Sequence, residues 1–348
     1  MKKTDLGVVF GGQSSEYSVS LHSAGSFLRE LNRDLYNLTL IGIDQDGQPW
    51  IYTGSIEDLE HDHWKHQATP AAWVRQGILP LDGSEVIPLD VVFPVVHGKN
   101  GEDGAIQGLL QMLNIHCVGC DVLSSALCMD KELMHIVLDE ANIPAADYIC
   151  LKEKEENPSF EEIREQISLP WVIKPCNAGS SYGVHFVENE EQFKDACKDA
   201  FKYDGRGKIL VEKAVDGFEI GCAVMGNDEI FAGSVDEIET SHPVFDFDGK
   251  YEMVDSHIYC PARISEEEFE KARSLAKDAY KAMGCQGLAR VDMFRLKDGS
   301  IIINEINTIP GMTATSRYPS MMKEAGKPFD ALIDELIELA LEKPVGVC

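Results

Sequence analysis

The chain has no uninterrupted apolar run of the ~18 residues a membrane-spanning helix needs, and its first apolar run, Leu6 to Phe10, is too short for a secretory core. That predicts a cytoplasmic protein with no membrane partner. Positive charge is scarce: 31 Lys and Arg stand against 59 Asp and Glu, a formal net charge of -28. Counterion-release binding to nucleic acid would work against that field, so any bound phosphate needs a local cationic site or a metal. The Walker pattern GxxxxGK[ST] is missing, and Gly11-Gly12-Gln13-Ser14-Ser15-Glu16 is not GxGxxG. Hydride transfer on a nicotinamide thereby loses its main sequence support. There is no internal repeat or low-complexity segment, and the cysteines form no disulfide framework. Cys128, Cys150, Cys222 and Cys260 sit in apolar or strand-like context, as small buried hydrophobes do. Cys117-Val118-Gly119-Cys120 has no second pair, which favours structural cysteines, and His61, His63 and His66 read as a solvated loop.

What is present is enough for two or three domains: 348 residues, 44% of them hydrophobic. The first stretch alternates strand-like and helix-like segments: Leu6 to Phe10, a Gly-rich turn, a helix over 21–31, then a strand over 38–43. This predicts an α/β fold with a parallel sheet and ligands at the carboxyl ends of its strands. Asp90 to Val96 reads as a buried strand, followed by the loop HGKNGEDG and a helix over 105–113 with Asp103 as its N-cap. Further helices are expected over 131–141, 266–283 and 328–341, and strands over 171–175 and 209–213.

The segments GLARVDMFRL and SIIINEINTI flank Lys297-Asp298-Gly299, and Asp-Gly is a favoured two-residue hairpin turn. With Asp298 and Gly299 as the turn, Asp292 faces Glu305 and Arg290 faces Asn307, all four on one side of the sheet. This register puts Met293 and Ile302 on the opposite face, and Phe294, Ile301 and Ile303 beside the polar set. Directly opposed carboxylates repel, so the pair either lies on a solvated face or holds a cation. A polar patch at the end of an otherwise apolar face favours the second reading, with Asp292, Glu305 and Asn307 as oxygen ligands suited to Mg²⁺.

Asn177 to Gly183 (NAGSSYG) follows the strand WVIKP, and alone it reads as a turn or as a phosphate cradle. Lys174, on the strand just before it, would be costly to bury without an anionic partner. Lys131, at a helix start, says little by itself.

Together these segments resemble the D-alanine:D-alanine ligases of the ATP-grasp superfamily along nearly the whole chain. The residues that carry the resemblance are Gly11-Gly12-x-Ser14-x-Glu16-x-x-Val19-Ser20, His97-Gly98-x-x-Gly101-Glu102-Asp103-Gly104, Ser125-Ala126-Leu127-x-Met129-Asp130-Lys131, Lys174-Pro175 with Gly179-Ser180-Ser181, Glu212-Lys213, Lys250-Tyr251, Arg290-x-Asp292, and Glu305-x-Asn307-x-x-Pro310-Gly311. The resemblance implies a three-domain ATP-grasp enzyme with a Rossmann-like N-terminal parallel-sheet domain. The domains would be a substrate-binding one over 1–123, a central one over 124–206 and a catalytic one over 207–348. ATP would phosphorylate the carboxylate of a first D-alanine, and the amine of a second D-amino acid would attack the acyl phosphate, giving a dipeptide for peptidoglycan.

Carried over by position, Asp292, Glu305 and Asn307 would bind two Mg²⁺ ions, or Mn²⁺ in their place. Lys131, Lys174, Ser181 and Lys250 would lie on the ATP phosphates, with Glu212, Lys213 and Glu219 around adenine and ribose. Arg290 and the Gly311 N–H would stabilise the tetrahedral oxyanion. Glu16, aided by His97, would take the first ammonium. Ser180 and Tyr251 would form with Glu16 a hydrogen-bonded set that closes a mobile loop over 245–259, and Ser316 would hold the second carboxylate. Tyr17, Ala314 and Thr315 depart from the commonest family pattern at positions expected near the substrate pockets. The run SRYP at 316–319, with LSSALCMDK and LARVDMF, is similar to the vancomycin-resistance branch, which includes D-alanine:D-serine ligases. Lys250-Tyr251 favours an amine over a hydroxyl as second substrate, with D-alanine and D-serine both open. A homodimer is common in the family. The alternatives are another ATP-grasp carboxylate-amine ligase, against which the Glu16 and His97 segments count, and a non-catalytic binding module, against which the intact metal set counts.

Overall fold

The apolar run that opens the chain becomes the strand Thr4–Gly11, and Tyr36–Ile43 returns parallel to it across the helix Tyr17–Glu30. Val91–Pro94 and His116–Cys117 extend the parallel part on the other side. In this computed structural model, which describes residues 3–179, 181–240 and 256–342, the sheet does not stay parallel. Pro49–Tyr52, Ala68–Val74, Gly77–Pro80 and Ile87–Pro88 continue it antiparallel to eight strands. The Rossmann-like character is thus confined to one half of the sheet. The last of the added strands are joined by turns too short for a crossover helix, and only antiparallel neighbours can be connected that way. The helix Ala105–Met112 carries Gly104 at its cap position, while Asp103 accepts from the backbone N–H groups of Asn100 and Ala105.

A second, wholly antiparallel sheet follows in the order His185–Val187, Trp171–Pro175, Lys208–Lys213, Tyr148–Lys152. Its last-formed strand runs to Lys213, past the boundary expected at residue 206, because Ile209 and Val211 pack in the same core as Trp171. The helices Phe160–Gln166 and Glu190–Tyr203 cover that core, the first fixed by a capping box in which Ser159 and Glu162 exchange backbone hydrogen bonds.

The third sheet has five strands, ordered Ser256–Tyr259, Phe231–Thr240, Gly217–Gly226, Gly287–Leu296, Ile301–Asn307. One face packs on the helix Glu266–Ala282 and on Met134 and Leu138 of the helix Lys131–Glu140. The last two helices, Arg317–Glu324 and Phe329–Glu342, bury Tyr318, Met321, Leu332 and Leu336 in one core with Phe27 and Phe93 of the first sheet. Burying each such side chain contributes roughly 1.5–3 kcal/mol, which ties the two ends of the chain together.

The hairpin Gly287–Leu296/Ile301–Asn307 holds two registers. Leu296 and Ser300 bracket a three-residue loop, with Gly299 in the left-handed region at φ +84°, so the expected two-residue turn does not form. Up to Met293↔Ile303 the ladder is one residue out of the expected phase. The extra residue Asn304 then forms a bulge, and Asp292↔Glu305, Val291↔Ile306 and Arg290↔Asn307 pair as expected. The slip exchanges the faces of the isoleucines. Ile301 and Ile303 join the core with Val291 and Met293, and Ile302 stands opposite Phe294.

Candidate active site

Between the second and third sheets lies a cavity of about 760 Å³ whose walls include Lys131, His135, Lys174, Ser181, Glu212, Lys213 and Glu219. Strand alternation points Lys174 and Glu212 to the same side, and Lys174 Nζ lies 2.8 Å from Glu212 Oε2. His135 Nε2 stands 2.8 Å from the other carboxylate oxygen, its ring stacked on Tyr148 at 4.3 Å. Burial pushes the Glu212 carboxyl up, but Lys174 and His135 more than offset this and hold it down at about 2. The buried lysine therefore has an anionic partner within the fold, as its strand position requires. Lys174 also reaches Asn304 Oδ1 at 3.5 Å, so the bulge places an amide in the same cavity wall.

A second cavity, of about 450 Å³, opens between the third sheet and the first. Its walls include Glu16, His97, Glu102, Arg290, Asn307, Gly311, Thr315 and Ser316. His97 is buried, with Nδ1 3.2 Å from the Ile309 carbonyl and 3.6 Å from Glu102, and Nε2 3.3 Å from Ser23 Oγ. Burial works to lower the His97 pKa, but Glu102 and Glu16 outweigh it, so the pKa is raised. Gly98 has φ +71°, and a Cβ there would collide with the Glu16 carboxylate, so this loop approaches Glu16 only without a side chain. Ser316 Oγ accepts from the Thr313 N–H at 3.2 Å and lies beside Gly311.

The two cavities meet. Lys131, Ala178, Gly179 and Glu305 border both. Lys131 Nζ donates to the Ala178 carbonyl at 3.1 Å and stands 3.7 Å from Glu305, while its backbone N–H donates to the Cys176 carbonyl. The Gly-rich loop is pinned from behind by Asp204, which accepts from the Asn177 N–H at 2.8 Å.

At the hairpin, three cationic side chains meet the electrostatic demand of the opposed carboxylates. Arg290 donates to both oxygens of Asp292, Arg317 approaches it at 3.3 Å, and Lys131 faces Glu305. Arg317 also bonds Asp236 through two nitrogens and Glu219 at 2.8 Å. Arg317 is thus the hub of three carboxylates, and burial, which works against its charge, is outweighed by Asp236 and Asp292, keeping its pKa well above the usual value. Asp292 is 1% exposed and borders neither cavity, in contrast to Glu305 and Asn307. Among the described residues no three His, Cys, Asp or Glu side chains gather into a metal cage.

All the expected site residues that fall in the described residues, Asp292 apart, border one cavity or the other. Ser180, Lys250, Tyr251 and the 245–255 part of the expected loop lie outside them. Tyr17 turns away from the cavities: its hydroxyl donates to Asp62 and accepts from Trp64 Nε1 in the core of the first sheet. Thr315 borders the second cavity, and the Ala314 N–H donates to Ser26 Oγ. The residues not singled out from the sequence are His135, Glu102, Asp236 and Arg317. Glu102 stood inside a quoted motif and Arg317 beside Ser316, but nothing in their spacing marks the partners they meet. Every described cysteine is free. Burial pushes the Cys117 thiol up to about 12, in keeping with a structural role.

Comparison with known proteins supplies the context. The family model for the D-ala D-ala ligase N-terminus matches residues 5–120, and that for the C-terminus matches residues 137–338. A D-alanine–D-alanine ligase of Thermoanaerobacter sp. (strain X514) is 41% identical over 358 residues, covering 100% of this chain and 99% of its own. D-alanine–D-alanine ligase A of Escherichia coli (strain K12) is 40% identical, covering 99% of this chain and 97% of its own. Among solved structures, the VanG D-Ala:D-Ser ligase from Enterococcus faecalis superposes with a TM-score of 0.91 at 41% identity, over 97% of this chain and 100% of that one. The D-alanine-D-alanine ligase from Coxiella burnetii gives 0.88 at 33% identity, over 98% and 95%.

Proposed function

The chain belongs to the D-alanine–D-alanine ligase family, and from that premise we propose how its two cavities divide the reaction. It is an ATP-dependent ligase of ATP-grasp fold that makes D-alanyl-D-alanine for peptidoglycan. The observation that carries the mechanism is the shared wall: Lys131, Ala178, Gly179 and Glu305 border both cavities, so a phosphate tail in the larger would end where a small zwitterion in the smaller begins.

ATP occupies the larger cavity, its phosphates beneath Lys131, Lys174, Ser181 and, from outside the described residues, Lys250. Glu212, Lys213 and Glu219 hold the nucleoside. The first D-alanine lies at the junction with its ammonium on Glu16, backed by His97. Its carboxylate oxygen takes the γ-phosphoryl group and releases ADP. The amine of the second D-alanine, whose carboxylate is held by Ser316, then attacks the acyl phosphate, loses a proton and expels phosphate. Arg290 and the Gly311 N–H meet the oxyanion that forms in between. Tyr251, with Ser180 and Glu16, orients the two substrates. This chemistry needs positioning and charge neutralisation rather than a covalent nucleophile.

A metal accompanies ATP in this family. The donor set here fits two Mg²⁺ ions, or Mn²⁺: Asp292, Glu305 and Asn307 offer hard oxygens, with phosphate oxygens and water to complete the shell. Bound there, the ions would neutralise charge on the transferring phosphoryl group. Asp292, which here holds Arg290 and Arg317, would hold the ion through the same carboxylate oxygens.

A second reading, D-serine as the preferred second substrate, is favoured by the likeness to the VanG enzyme. The three sheets support a division into three domains, with the second boundary after Lys213 in place of residue 206. A homodimer is supported by Leu109, Met112, Leu123, Leu133 and Ile136, exposed on three consecutive helices. No helix among the described residues is long and apolar enough to cross a membrane.

Phosphate release from ATP and Mg²⁺ with D-alanine alone, then with D-alanine plus D-serine, tests the reading, with products identified by mass. D-Ala-D-Ala as sole product supports it. Predominant D-Ala-D-Ser moves the chain to the second reading, and no product from either mixture overturns both.

A further inference from the structure

Glu212 is 6% exposed and ionised, and a carboxylate so placed must keep hydrogen-bond donors. It has one on each oxygen: Lys174 at 2.8 Å and His135 at 2.8 Å. The two donors differ in what else they can do. Lys174 stands on the cavity wall directly before the Gly-rich loop and also reaches Asn304, so an arriving polyphosphate competes for its ammonium. His135 sits on the helix Lys131–Glu140, is 1% exposed, and has its ring stacked on Tyr148 at 4.3 Å, so it is held by packing. Because an ionised carboxylate only accepts, the Nε2 atom carries the hydrogen. Nδ1 is buried in the cavity wall with no hydrogen-bond partner in this structure, a place that a ligand or a water would complete.

We propose that His135 is a positioning residue of the nucleotide site: it holds Glu212 in place when Lys174 is drawn to the phosphates. The proposal deepens the ATP assignment and rests on it. Without His135, phosphate binding would strip a buried carboxylate of its last protein donor, so Lys174 would be held back on Glu212 and the nucleotide would lose much of that contact.

The test is calorimetric binding of ADP to the full-length chain, with steady-state KM values for ATP and D-alanine, for wild type, His135→Ala and His135→Gln. The expected result for His135→Ala is a weakening of ADP binding and a rise in ATP KM of about tenfold, the worth of one charge-assisted hydrogen bond. The D-alanine KM should move less than twofold, and Gln, whose amide keeps a donor, should recover most of the loss. Unchanged ADP binding in folded His135→Ala overturns the proposal. So does an equal loss for ADP and D-alanine, which would mark a merely structural role. If His135→Ala does not fold, His135→Ala/Glu212→Gln removes the charge that needs the donor. Recovery of the fold in that variant supports the pairing, and continued failure overturns it. Wild type that turns over no ATP sinks the enzymatic reading itself, an outcome distinct from any of these.

Discussion

The two cavities are built differently. The larger is walled by strands: on two paired strands Glu212 faces Val172, two residues from Lys174 and on the same side, and the charges are already paired with each other and with His135. The smaller is walled mainly by loops, with Glu16, His97, Gly311 and Ser316 all lying between elements or at a helix end. A strand fixes side chains by its period, so the charges of the larger cavity are set by the sheet and paired within the fold. Loops aim side chains one by one, so the smaller cavity, proposed above for the amino acids, is where substrate choice can change without disturbing the rest. The shared wall belongs to neither.

That contrast can be tested from the wall outwards. Glu305→Gln should affect both sides at once, lowering turnover by roughly 10²–10³-fold while the fold is kept. Near-normal turnover at saturating Mg²⁺ would remove Glu305 from the metal set. On the strand side, Glu212 couples the cavity to acid stability. Its folded pKa, about 2, lies below the ordinary 4.5. Its contribution is therefore complete above the ordinary value and is lost as pH falls from there towards the folded one, ~3 kcal/mol in all. Denaturant unfolding of wild type should steepen in that acid window, and Glu212→Gln should flatten it; parallel curves would mean the carboxylate is not held as described. Lys174→Ala should raise the ATP KM by roughly 10-fold or more and spare the D-alanine KM. On the loop side, Ser316→Ala should do the reverse and more mildly, by about fivefold for the second amino acid. A shift in ATP KM there would blur the division. Met112→Asp, remote from both cavities, should leave turnover alone and shift the mass seen by light scattering to that of one chain. An unchanged mass would remove that helix from the interface.

The same contrast governs what could be read from the chain. Counting from the hairpin turn places Asp292 opposite Glu305, and does so because the bulge at Asn304 cancels the extra turn residue; Lys174 stands out by the cost of burying a strand lysine. Glu16, His97 and Ser316 carry no such arithmetic, and only their likeness to a family drew them out. Asp236 is marked by neither route, and Arg317, though it lies in the SRYP run, is given no role by it: their partnership joins a helix N-terminus to a strand 81 residues away, and a buried ion pair leaves no local pattern. The antiparallel half of the first sheet was missed because its strands are short and interrupted by Pro49, Pro70, Pro80 and Pro88. Tyr17 was misplaced near the pockets because its position in the chain lies beside Glu16, whereas the first helical turn sends consecutive side chains in different directions.

The bulge at Asn304 means that the hairpin keeps two clocks. Its turn end runs on one count and its charged end on another, and a single residue absorbs the difference. A two-residue turn with a straight ladder would bring Asp292 and Glu305 to the same meeting, but the three isoleucines would trade faces and Asn304 would turn from the cavity to the core side opposite Met293. An error in closing the turn therefore costs the core a repacking and one misplaced amide, and it stops before the carboxylates. Insertions or deletions at 297–299 should accordingly be better tolerated than any change of length between Asn304 and Asn307.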